Sequence, residues 1–341
     1  RLRAGDTEVR TLEMRRDGGL GRRLARLVRA GRETLGLLLN FRPNLIVCGS
    51  MGMALWCCWM ASRVLSVPLV FSLHNQLIFP GPLPLPRRLG RAVDLFFIRR
   101  ADGAVCHGPF LHAQLRALGV PEERIHEFDC GVRDVVESRR PVAGAAGQER
   151  EILYVGRVVG AKGVFDLLEA CAPLQSSIED LRLTYVGNGE DLDRLRARVA
   201  ALGLESRVRF PGFVPHERMA SVMGDAWLVV TPTRLALGEA RCMTAMEALG
   251  LGVPVVAPEH GAFPYLIRHR ENGMLYRPDD VAELGGCIGE LATDRGLYEA
   301  MKQGAAATGA TLLDPPVRFS SAIAASLGIE FEGQSARGVP A

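Results

Sequence analysis

Residues 152–163 read Ile-Leu-Tyr-Val-Gly-Arg-Val-Val-Gly-Ala-Lys-Gly, and a helix-like stretch follows over residues 164–174. The first four residues form a short apolar run typical of a buried parallel strand, and the glycines mark a turn between that strand and a helix. A strand, a glycine-rich turn and a helix, in this order, are the repeating unit of a doubly wound α/β domain. This segment therefore predicts such a domain, with a ligand crevice at the carboxyl ends of its strands.

The same alternation of strands and helices continues on both sides of this segment. Downstream, apolar runs predict strands at Leu181–Val186, Val208–Phe210, Trp227–Val230 and Val253–Val256, with helices near 190–202, 216–224 and 243–250. Upstream, strands are predicted at Leu45–Cys48, Pro68–Leu73 and Gly103–Cys106, with helices ending near Leu65 and covering Leu89–Arg99 and Pro109–Leu118. Residues 138–150 lack periodicity and are rich in Pro, Gly and charge, which indicates a linker. The sequence thus predicts two parallel-sheet domains in tandem.

Length and composition agree with two cored domains. The chain has 341 residues, of which 48% are hydrophobic and 23% charged. Residues 1–140 carry 22 Lys+Arg against 13 Asp+Glu, about +9, and residues 141–341 carry 19 against 25, about −6. No basic run is interleaved with aromatic residues, so nucleic acid is not an expected partner.

Cysteine and hydropathy patterns favour the cytoplasm. The eight cysteines form no CxxC pair and lie mostly in apolar segments, so we expect buried free thiols and neither disulfides nor a zinc site. The most apolar stretch, Met51–Ala61, has 11 residues, fewer than the roughly 20 that span a bilayer. No signal peptide is recognised, and the chain begins at Arg1.

Two sets of residues suggest chemistry. Gly156, Arg157 and Lys162 follow a predicted strand, and two cations beside glycines suit a diphosphate; the alternative is a basic surface turn. The segment is not a Walker A loop, since Gly163 replaces Ser/Thr after the lysine. Glu239 and Glu247 are separated by seven residues. Eight residues of helix rise roughly 12 Å, whereas glycosidase carboxyls lie about 5 to 9.5 Å apart, so a hydrolytic pair is disfavoured.

Five motifs in order carry a family resemblance. Gly156–Gly163 is followed by Val186-Gly-Asn-Gly189, Gly212-Phe-Val214, Thr231-Pro-Thr233, and the two glutamates with Gly261 after them. This order is similar to that of the retaining family 4 glycosyltransferases of the GT-B fold, over roughly residues 40–330. The resemblance implies residues 1–140 on the acceptor side, a linker at 141–150, a donor-binding domain at 151–312, and a crossover helix with a disordered tail at 313–341.

The resemblance also implies roles for individual residues. Arg157 and Lys162 would hold the donor diphosphate, with Gly156 and Gly187 in the surrounding loops, and fixed cations would make a metal unnecessary. Glu239 would contact the transferred sugar and Glu247 the ribose, while the backbone near Phe213 and Val214 would read the base. His74, at the end of a predicted strand, would lie near the reacting sugar.

The sequence departs from the family pattern at Ala240–Cys242 and at Tyr265, which follows a proline where the family usually has a glutamate. Ala240-Arg241-Cys242 stands where a Gly-Phe-Gly or similar sequence is usual, so we expect Arg241 to reach an acidic or phosphorylated group of the donor. The family's first strand and its glycine-rich loop would precede Arg1, so we expect the chain as given to be unstable and to transfer poorly without them.

Two further stretches need interpretation. Asp191-Leu-Asp193 resembles a metal-binding DxD motif but lies in a polar helix, so we interpret it as a solvated face. Arginine-rich helices at Arg15–Arg32 and Arg87–Arg100 flank the apolar loop Leu77–Pro86. These helices are either ordinary solvated helices or a peripheral contact with the anionic inner face of a membrane.

Together these observations predict a retaining, metal-independent transferase without a cofactor. Its donor would be a UDP- or GDP-sugar, and its acceptor the hydroxyl of an unidentified glycan, lipid or small molecule. Two alternatives stay open: a nucleotide-sugar epimerase on the same fold, which would need a carboxylate base in the first domain, and a non-catalytic nucleotide-sugar-binding partner.

Overall fold

The computed structural model describes residues 20–78, 85–139, 150–314 and 317–329. Its described residues form thirteen α-helices and ten strands, arranged as two α/β domains that each contain one parallel sheet. The predicted tandem α/β fold is confirmed. Four predicted features lie wholly or partly outside the described residues: the start of the first arginine-rich helix, part of the loop before Pro86, the linker at 141–149 and the tail from 330.

The first domain is built around a four-stranded sheet with strand order β1-β2-β3-β4. Because the strands follow one another in chain order, right-handed crossovers place the intervening helices α2, α3 and α4 on one face. Its elements are α1 Leu20–Phe41, β1 Ile46–Cys48, α2 Met53–Leu65, β2 Leu69–Leu73, α3 Leu85–Ile98, β3 Gly103–His107, α4 Pro109–Ala117 and β4 Ile125–Phe128. The next helix, α5 Arg133–Ser138, packs into a core cluster of the second domain.

The second domain has a six-stranded sheet with order β10-β9-β8-β5-β6-β7, so the winding direction reverses between β5 and β8. Such a reversal opens a crevice at the carboxyl ends of the two central strands. Its elements are β5 Arg150–Val155, α6 Val164–Ser177, β6 Leu181–Val186, α7 Leu192–Ala201, β7 Val208–Gly212, α8 His216–Gly224, β8 Leu228–Val230, α9 Met243–Gly250, β9 Val255–Pro258, α10 Phe263–Leu266, β10 Gly273–Tyr276, α11 Val281–Thr293 and α12 Arg295–Leu312.

Helices cover both faces of both sheets. In β5, Ile152 and Tyr154 pack into one core cluster of the second domain and Leu153 into the other. In β2, Phe71 packs with α2, α3 and α4, whereas Val70 faces a smaller cluster under α13, Phe319–Ser326. The last described helix therefore returns to the first domain and closes the free face of its sheet.

Two edge strands and one cysteine differ from expectation. Strands β4 and β10 lie at sheet edges among the described residues and lack a Val/Ile/Leu run, which is why the apolar pattern missed them. All eight cysteines are free and seven are buried as predicted, but Cys130 is exposed. In the part of the chain that the structure describes, no helix is long and apolar enough to cross a membrane.

Strand β1 is the other edge of the first described sheet. Its central residue, Val47, is exposed, whereas Ile46 and Cys48 on either side are buried. The expectation of a further strand and a glycine-rich loop before Arg1 stays a prediction.

Candidate functional site

The site lies where the second sheet reverses its winding. Strands β5 and β8 pair in parallel, with Leu153 opposite Val229, so their carboxyl ends lie side by side. The chain leaves β5 at Gly156-Arg157 and leaves β8 at Thr231-Pro-Thr233. Two of the predicted motifs therefore meet at one edge of the sheet.

A lysine and a glutamate that are far apart in sequence form the centre of the site. Lys162 Nζ lies 2.6 Å from Glu239 Oε2, and Thr233 Oγ1 donates a hydrogen bond to the same oxygen over 3.0 Å. The Glu239 side chain is only 15% exposed and that of Lys162 23%. The structure thus places a cation and a carboxylate, each predicted to bind the donor, in direct contact, and it adds Thr233 to them.

The loop between β5 and α6 is held by a carboxylate that the sequence interpretation treated as solvated. Asp191 Oδ2 accepts a hydrogen bond of 2.7 Å from the Gly160 amide, which lowers the pKa of Asp191, and Oδ1 accepts from Arg194. The Asp191 side chain is 14% exposed. The interpretation of this residue as part of a solvated face was therefore wrong, because Asp191 fixes the loop that carries Lys162.

Gly163 joins that loop to α6. Its φ of +71° is in the left-handed region, and a Cβ there would lie 1.8 Å from the carbonyl oxygen of Pro232, so only glycine fits. No side chain caps the amino terminus of α6, so its first backbone N–H groups point toward the loop. The adjacent segment is anchored by Arg234, which donates two hydrogen bonds to Asp166 in the first turn of α6.

Arg157 extends from the end of β5 with an exposed side chain, while its carbonyl accepts a hydrogen bond of 2.6 Å from the Tyr154 hydroxyl. Burial raises the pKa of Tyr154, the charge of Glu239 raises it further, and Arg157 lowers it. Tyr154 therefore lies within electrostatic range of both Arg157 and Glu239. The Arg157 side chain is placed at the same edge as the Lys162–Glu239 pair.

A second group of predicted residues lies beyond the glycine loops. The Gly187 amide donates to the Gly212 carbonyl over 2.8 Å, and a Cβ on Gly187 would lie 2.0 Å from the Gly156 carbonyl oxygen. These contacts bring together the loops after β5, β6 and β7. Phe213 follows as an unusually exposed aromatic residue, 76% accessible, while Val214 packs against the core.

Glu247 lies in the middle of α9, on the same side of the domain as α8. Burial raises the pKa of Glu247, and the nearby His216 opposes this effect. Its surroundings thus differ from those of Glu239, which is in direct contact with a cation.

His74 follows β2 in the first domain and is exposed. Its Nε2 lies 2.8 Å from Ser72 Oγ, and its ring lies 5.5 Å from that of Phe128. Partial burial lowers the pKa of His74, and His107 lowers it further. Two residues along, the Gln76 side chain approaches so closely that a Cβ on Gly238 would lie 1.9 Å from its oxygen. The loops that carry His74 and Glu239 therefore meet across the domain boundary.

Arg241 does not point to a free ligand position. Its guanidinium donates to both carboxylate oxygens of Asp129, at 2.5 and 2.6 Å, and only 11% of its side chain is exposed. His107 Nε2 lies 3.3 Å from the same carboxylate. The expectation that Arg241 reaches an acidic donor group is replaced by an ion pair that joins the two domains.

The predicted residues thus fall into three neighbouring groups: the diphosphate and sugar candidates Arg157, Lys162 and Glu239, the nucleotide candidates Gly187, Phe213, Val214 and Glu247, and His74 on the facing domain. Thr233, Asp191 and Tyr154 were missed as functional partners. Two of the three had a sequence signal: Thr233 lies just after an apolar strand, and Asp191 belongs to the DxD pattern. Throughout the described ranges, no group of three or more His, Cys, Asp or Glu side chains is arranged to hold a metal ion.

Comparison with known proteins gives the family. The family model described as "Glycosyl transferases group 1" matches residues 135–308, and the model of a "Glycosyl transferase 4-like domain" matches residues 1–131. The α-D-kanosaminyltransferase of Streptomyces kanamyceticus is 27% identical over 76% of this chain and 70% of its own length. The putative colanic acid biosynthesis glycosyltransferase WcaL of Escherichia coli is 29% identical over 58% of this chain. The chain spans only half the length of that second relative, 50%.

Solved structures give the fold. HepE of Anabaena, crystallised with UDP, superposes with a TM-score of 0.69 and 22% identity over 86% of this chain and 80% of its own. Sucrose-phosphate synthase of Thermosynechococcus elongatus gives a TM-score of 0.69 and 22% identity over 91% of this chain and 77% of its own. The tandem arrangement of the two domains is therefore the GT-B fold. With a family model that matches half of the sequence, the chain belongs to the group 1 glycosyl transferases.

Proposed function

We propose that the chain is a retaining, metal-independent hexosyltransferase that moves a sugar from a nucleoside diphosphate sugar to an acceptor hydroxyl. The observation that carries this proposal is the contact of Glu239 with both Lys162 and Thr233 at the winding reversal of the second sheet. A cation for the diphosphate and a carboxylate for the sugar lie next to each other there. In a nucleoside diphosphate sugar the diphosphate and the sugar are likewise adjacent, because they are bonded to each other.

Anion binding is supported by three donors of different kinds. Lys162 is a compact cation, the exposed Arg157 supplies a planar one, and the uncapped amino terminus of α6 offers backbone N–H groups. As the bond between the anomeric carbon and the diphosphate breaks, negative charge grows on the departing phosphate oxygen. Fixed cations stabilise that charge without reorganising, so the proposal needs no metal ion.

Glu239 is suited to bind sugar hydroxyls. Its Oε2 is held by Lys162 and Thr233, which fixes the orientation of the carboxyl group. A carboxylate accepts hydrogen bonds from hydroxyls more strongly than a neutral group does. His74, from the facing domain, would contact the acceptor or the reacting sugar from the other side of the crevice.

The nucleotide would lie beyond the glycine loops. Phe213 is exposed at the end of β7, and Glu247 has the partly buried position that a ribose-binding carboxylate requires. HepE, which has the same fold, was crystallised with UDP, and this favours UDP over GDP for the donor proposed here.

The acceptor is proposed to be a hydroxyl of a glycan, lipid or small molecule. We further propose that the protein acts in the cytoplasm, at the inner face of a membrane. The two alternatives predict different outcomes. An epimerase would convert one UDP-sugar into another, whereas a non-catalytic partner would bind the donor without forming a product.

The test is the affinity for free nucleotides, measured by calorimetry with UDP, GDP and ADP. For the nucleotide that binds best, Lys162→Ala should weaken binding by about 2 kcal/mol or more, roughly thirtyfold, because a charge-assisted contact is lost. The chain's only other lysine, the exposed Lys302 on α12, provides the matched control, and Lys302→Ala should bind as the wild type does. Equal affinities for the two variants would exclude the proposed diphosphate site.

Retention and metal independence are tested on the product. We expect transfer to continue in EDTA, and the anomeric proton coupling in the NMR spectrum of the product to match that of the donor. An inverted product, or activity that returns only with a divalent cation, would contradict these two parts of the proposal.

A further inference from the structure

Helix α3 has an apolar stripe that faces solvent. Leu85, Leu89, Val93 and Phe96 are spaced by four, four and three residues, so they lie along one face of the helix. All four are exposed, and Leu85 and Leu89 are 67% and 62% accessible. Single exposed apolar residues are ordinary on protein surfaces, whereas a contiguous stripe marks an interaction site.

The opposite face of α3 is held firmly against the domain. Asp94 is buried and accepts hydrogen bonds from the Gly52 amide over 2.8 Å and from the Trp56 indole over 3.0 Å. Ile98 is buried in the core beneath. Because the only carboxylate of the helix points inward, its outward face carries no negative charge.

The outward surface around the stripe is basic. Arg88 is exposed in the first turn beside the stripe, and Arg100 lies just past the last turn with its guanidinium 3.7 Å from the ring centroid of Phe96. The domain as a whole has a positive balance, 22 Lys+Arg against 13 Asp+Glu in residues 1–140. An apolar stripe bordered by arginines is the pattern of a helix that lies in the interface of an anionic bilayer.

We propose that the outward face of α3, formed by Leu85, Leu89, Val93 and Phe96 and flanked by Arg88 and Arg100, docks on an anionic lipid bilayer. The leucines enter the boundary between head groups and acyl chains, and the arginines pair with lipid phosphates. Arginine is suited to this because its long stem can lie along apolar surface while its head stays with the phosphates.

Docking in this way brings the crevice close to the membrane. Ile78, whose amide donates to Gln114 Oε1 at 3.0 Å, belongs to the segment that leaves the crevice, and α3 begins seven residues later. Seven residues span at most about 25 Å, so the docked helix end lies within that distance of the loop that carries His74. This orientation, which would favour a lipid-borne acceptor, rests on the proposed function, as does the place of the protein at a membrane, whereas the exposure and charge of α3 do not.

The experiment is sedimentation of the full chain with vesicles of phosphatidylcholine, with or without phosphatidylglycerol. The wild type should partition to the phosphatidylglycerol vesicles, and about 1 M salt should weaken this partition because the Debye length falls to about 3 Å. Leu85→Glu/Leu89→Glu should lower the partition coefficient about tenfold or more, and Arg88→Glu/Arg100→Glu should reduce it selectively on anionic vesicles. These side chains are highly exposed, so the substitutions should not perturb folding.

Ile329→Glu is the matched control, because Ile329 is an exposed apolar residue (54%) beyond α13, on the other face of the sheet. It should bind vesicles as the wild type does. UDP affinity, measured on the same preparations, should be unchanged in all variants, which separates a failure of docking from a failure of the proposed function. The proposal is overturned if the wild type does not bind anionic vesicles, or if Leu85→Glu/Leu89→Glu binds them as well as the wild type does. It is also overturned if the only effect of these two substitutions is to convert a dimer of the protein into a monomer.

Discussion

Glu239 and Glu247 belong to one sequence motif but lie in different electrostatic surroundings. Glu239 is balanced by Lys162 at 2.6 Å, whereas burial raises the pKa of Glu247 and the nearby His216 opposes this effect only in part. Ionised Glu247 therefore costs folding free energy, as expected of a residue kept for a ligand.

This difference predicts that Glu247→Gln both stabilises the protein and weakens nucleotide binding. Because the pKa of Glu247 is higher in the folded protein than in the unfolded chain, protonation of Glu247 favours folding. This contribution to stability is complete below pH 4.5, the ordinary pKa of a glutamate, and is lost as the pH rises through the pKa of the folded protein. Glu247→Gln should therefore raise the melting temperature at pH 7, and the gain should vanish in acid. Its affinity for UDP should fall by about 1.5–3 kcal/mol because a charge-assisted hydrogen bond is lost.

Glu239→Gln is the paired comparison. It removes the partner of Lys162, so it should not raise the melting temperature, and it should lower the rate of transfer about tenfold or more while UDP affinity stays nearly intact. Thermal melts across pH and calorimetry with UDP measure both variants. Equal effects on UDP affinity would contradict the division of roles.

Sequence reasoning reached individual site residues but not their mutual contacts. Arg157, Lys162 and Glu239 stood out because they occur in spaced motifs at strand ends. The contact of Lys162 with Glu239 joins residues 77 positions apart and follows only from the strand order of the second sheet. For the same reason the sequence does not reveal that Asp191 accepts a hydrogen bond from the Gly160 amide.

At the scale of elements, the apolar runs predicted all of the central strands of the second sheet. Strand β6 and helices α8 and α9 have the predicted bounds. The pattern failed for β4, Ile-His-Glu-Phe, and β10, Gly-Met-Leu-Tyr, because an edge strand is paired on one side only and tolerates polar residues and glycine. The local sequence pattern therefore identifies the elements that form the core, but it misses strands such as β4 and β10 at the edges of the sheets.

The junction between the loop and α6 gives a prediction at this scale. Gly163→Ala should destabilise the fold and weaken UDP binding, because the new Cβ would displace Pro232 and, with it, the segment that carries Thr233. Gly203→Ala is the matched control, since Gly203 has a similar φ of +68° but open space around its Cβ position.

Both variants carry the strain of a positive φ, about 1–2 kcal/mol, so the difference between them isolates the close approach to Pro232. Denaturant unfolding and UDP calorimetry of the two variants provide the measurement. Equal losses of stability, with UDP binding intact in both, would show that the Gly163 contact does not shape the site.

At the scale of the molecule, the sequence predicted two domains but not how they are joined. The chain crosses between them twice, and the crossings are bonded to each other: the Asp129 amide donates to Val317 and the Val132 amide to Leu312. Helix α13 then packs on the sheet of the first domain. Neither contact leaves a periodic signal in sequence, because both depend on segments that meet only after the two sheets have formed.

The ion pair of Arg241 with Asp129 provides the last prediction, because it links the two domains beside the site. Arg241 lies two residues after Glu239, and Asp129 directly follows the last described strand of the first sheet, so we expect this pair to position Glu239 relative to His74. Removing one partner of a largely buried pair costs about 2–5 kcal/mol, since the other charge loses its oppositely charged partner. Arg241→Met and Asp129→Asn should each lower the melting temperature and the rate of transfer, yet leave UDP affinity unchanged, because Arg157 and Lys162 are untouched.

The double variant distinguishes an interdomain pair from two independent losses. Arg241→Met/Asp129→Asn leaves no unpaired charge from either residue, so it should be more stable than the sum of the single losses predicts. The rate of transfer should stay low in the double variant, because the ion pair no longer fixes the position of the two domains relative to each other. Arg198 and Glu169, which pair at 2.6 Å on the surface of the second domain, are the control, and Arg198→Met should leave transfer unchanged. Strictly additive losses of stability, or transfer as fast as in the wild type, would show that the pair does not hold Glu239 opposite His74.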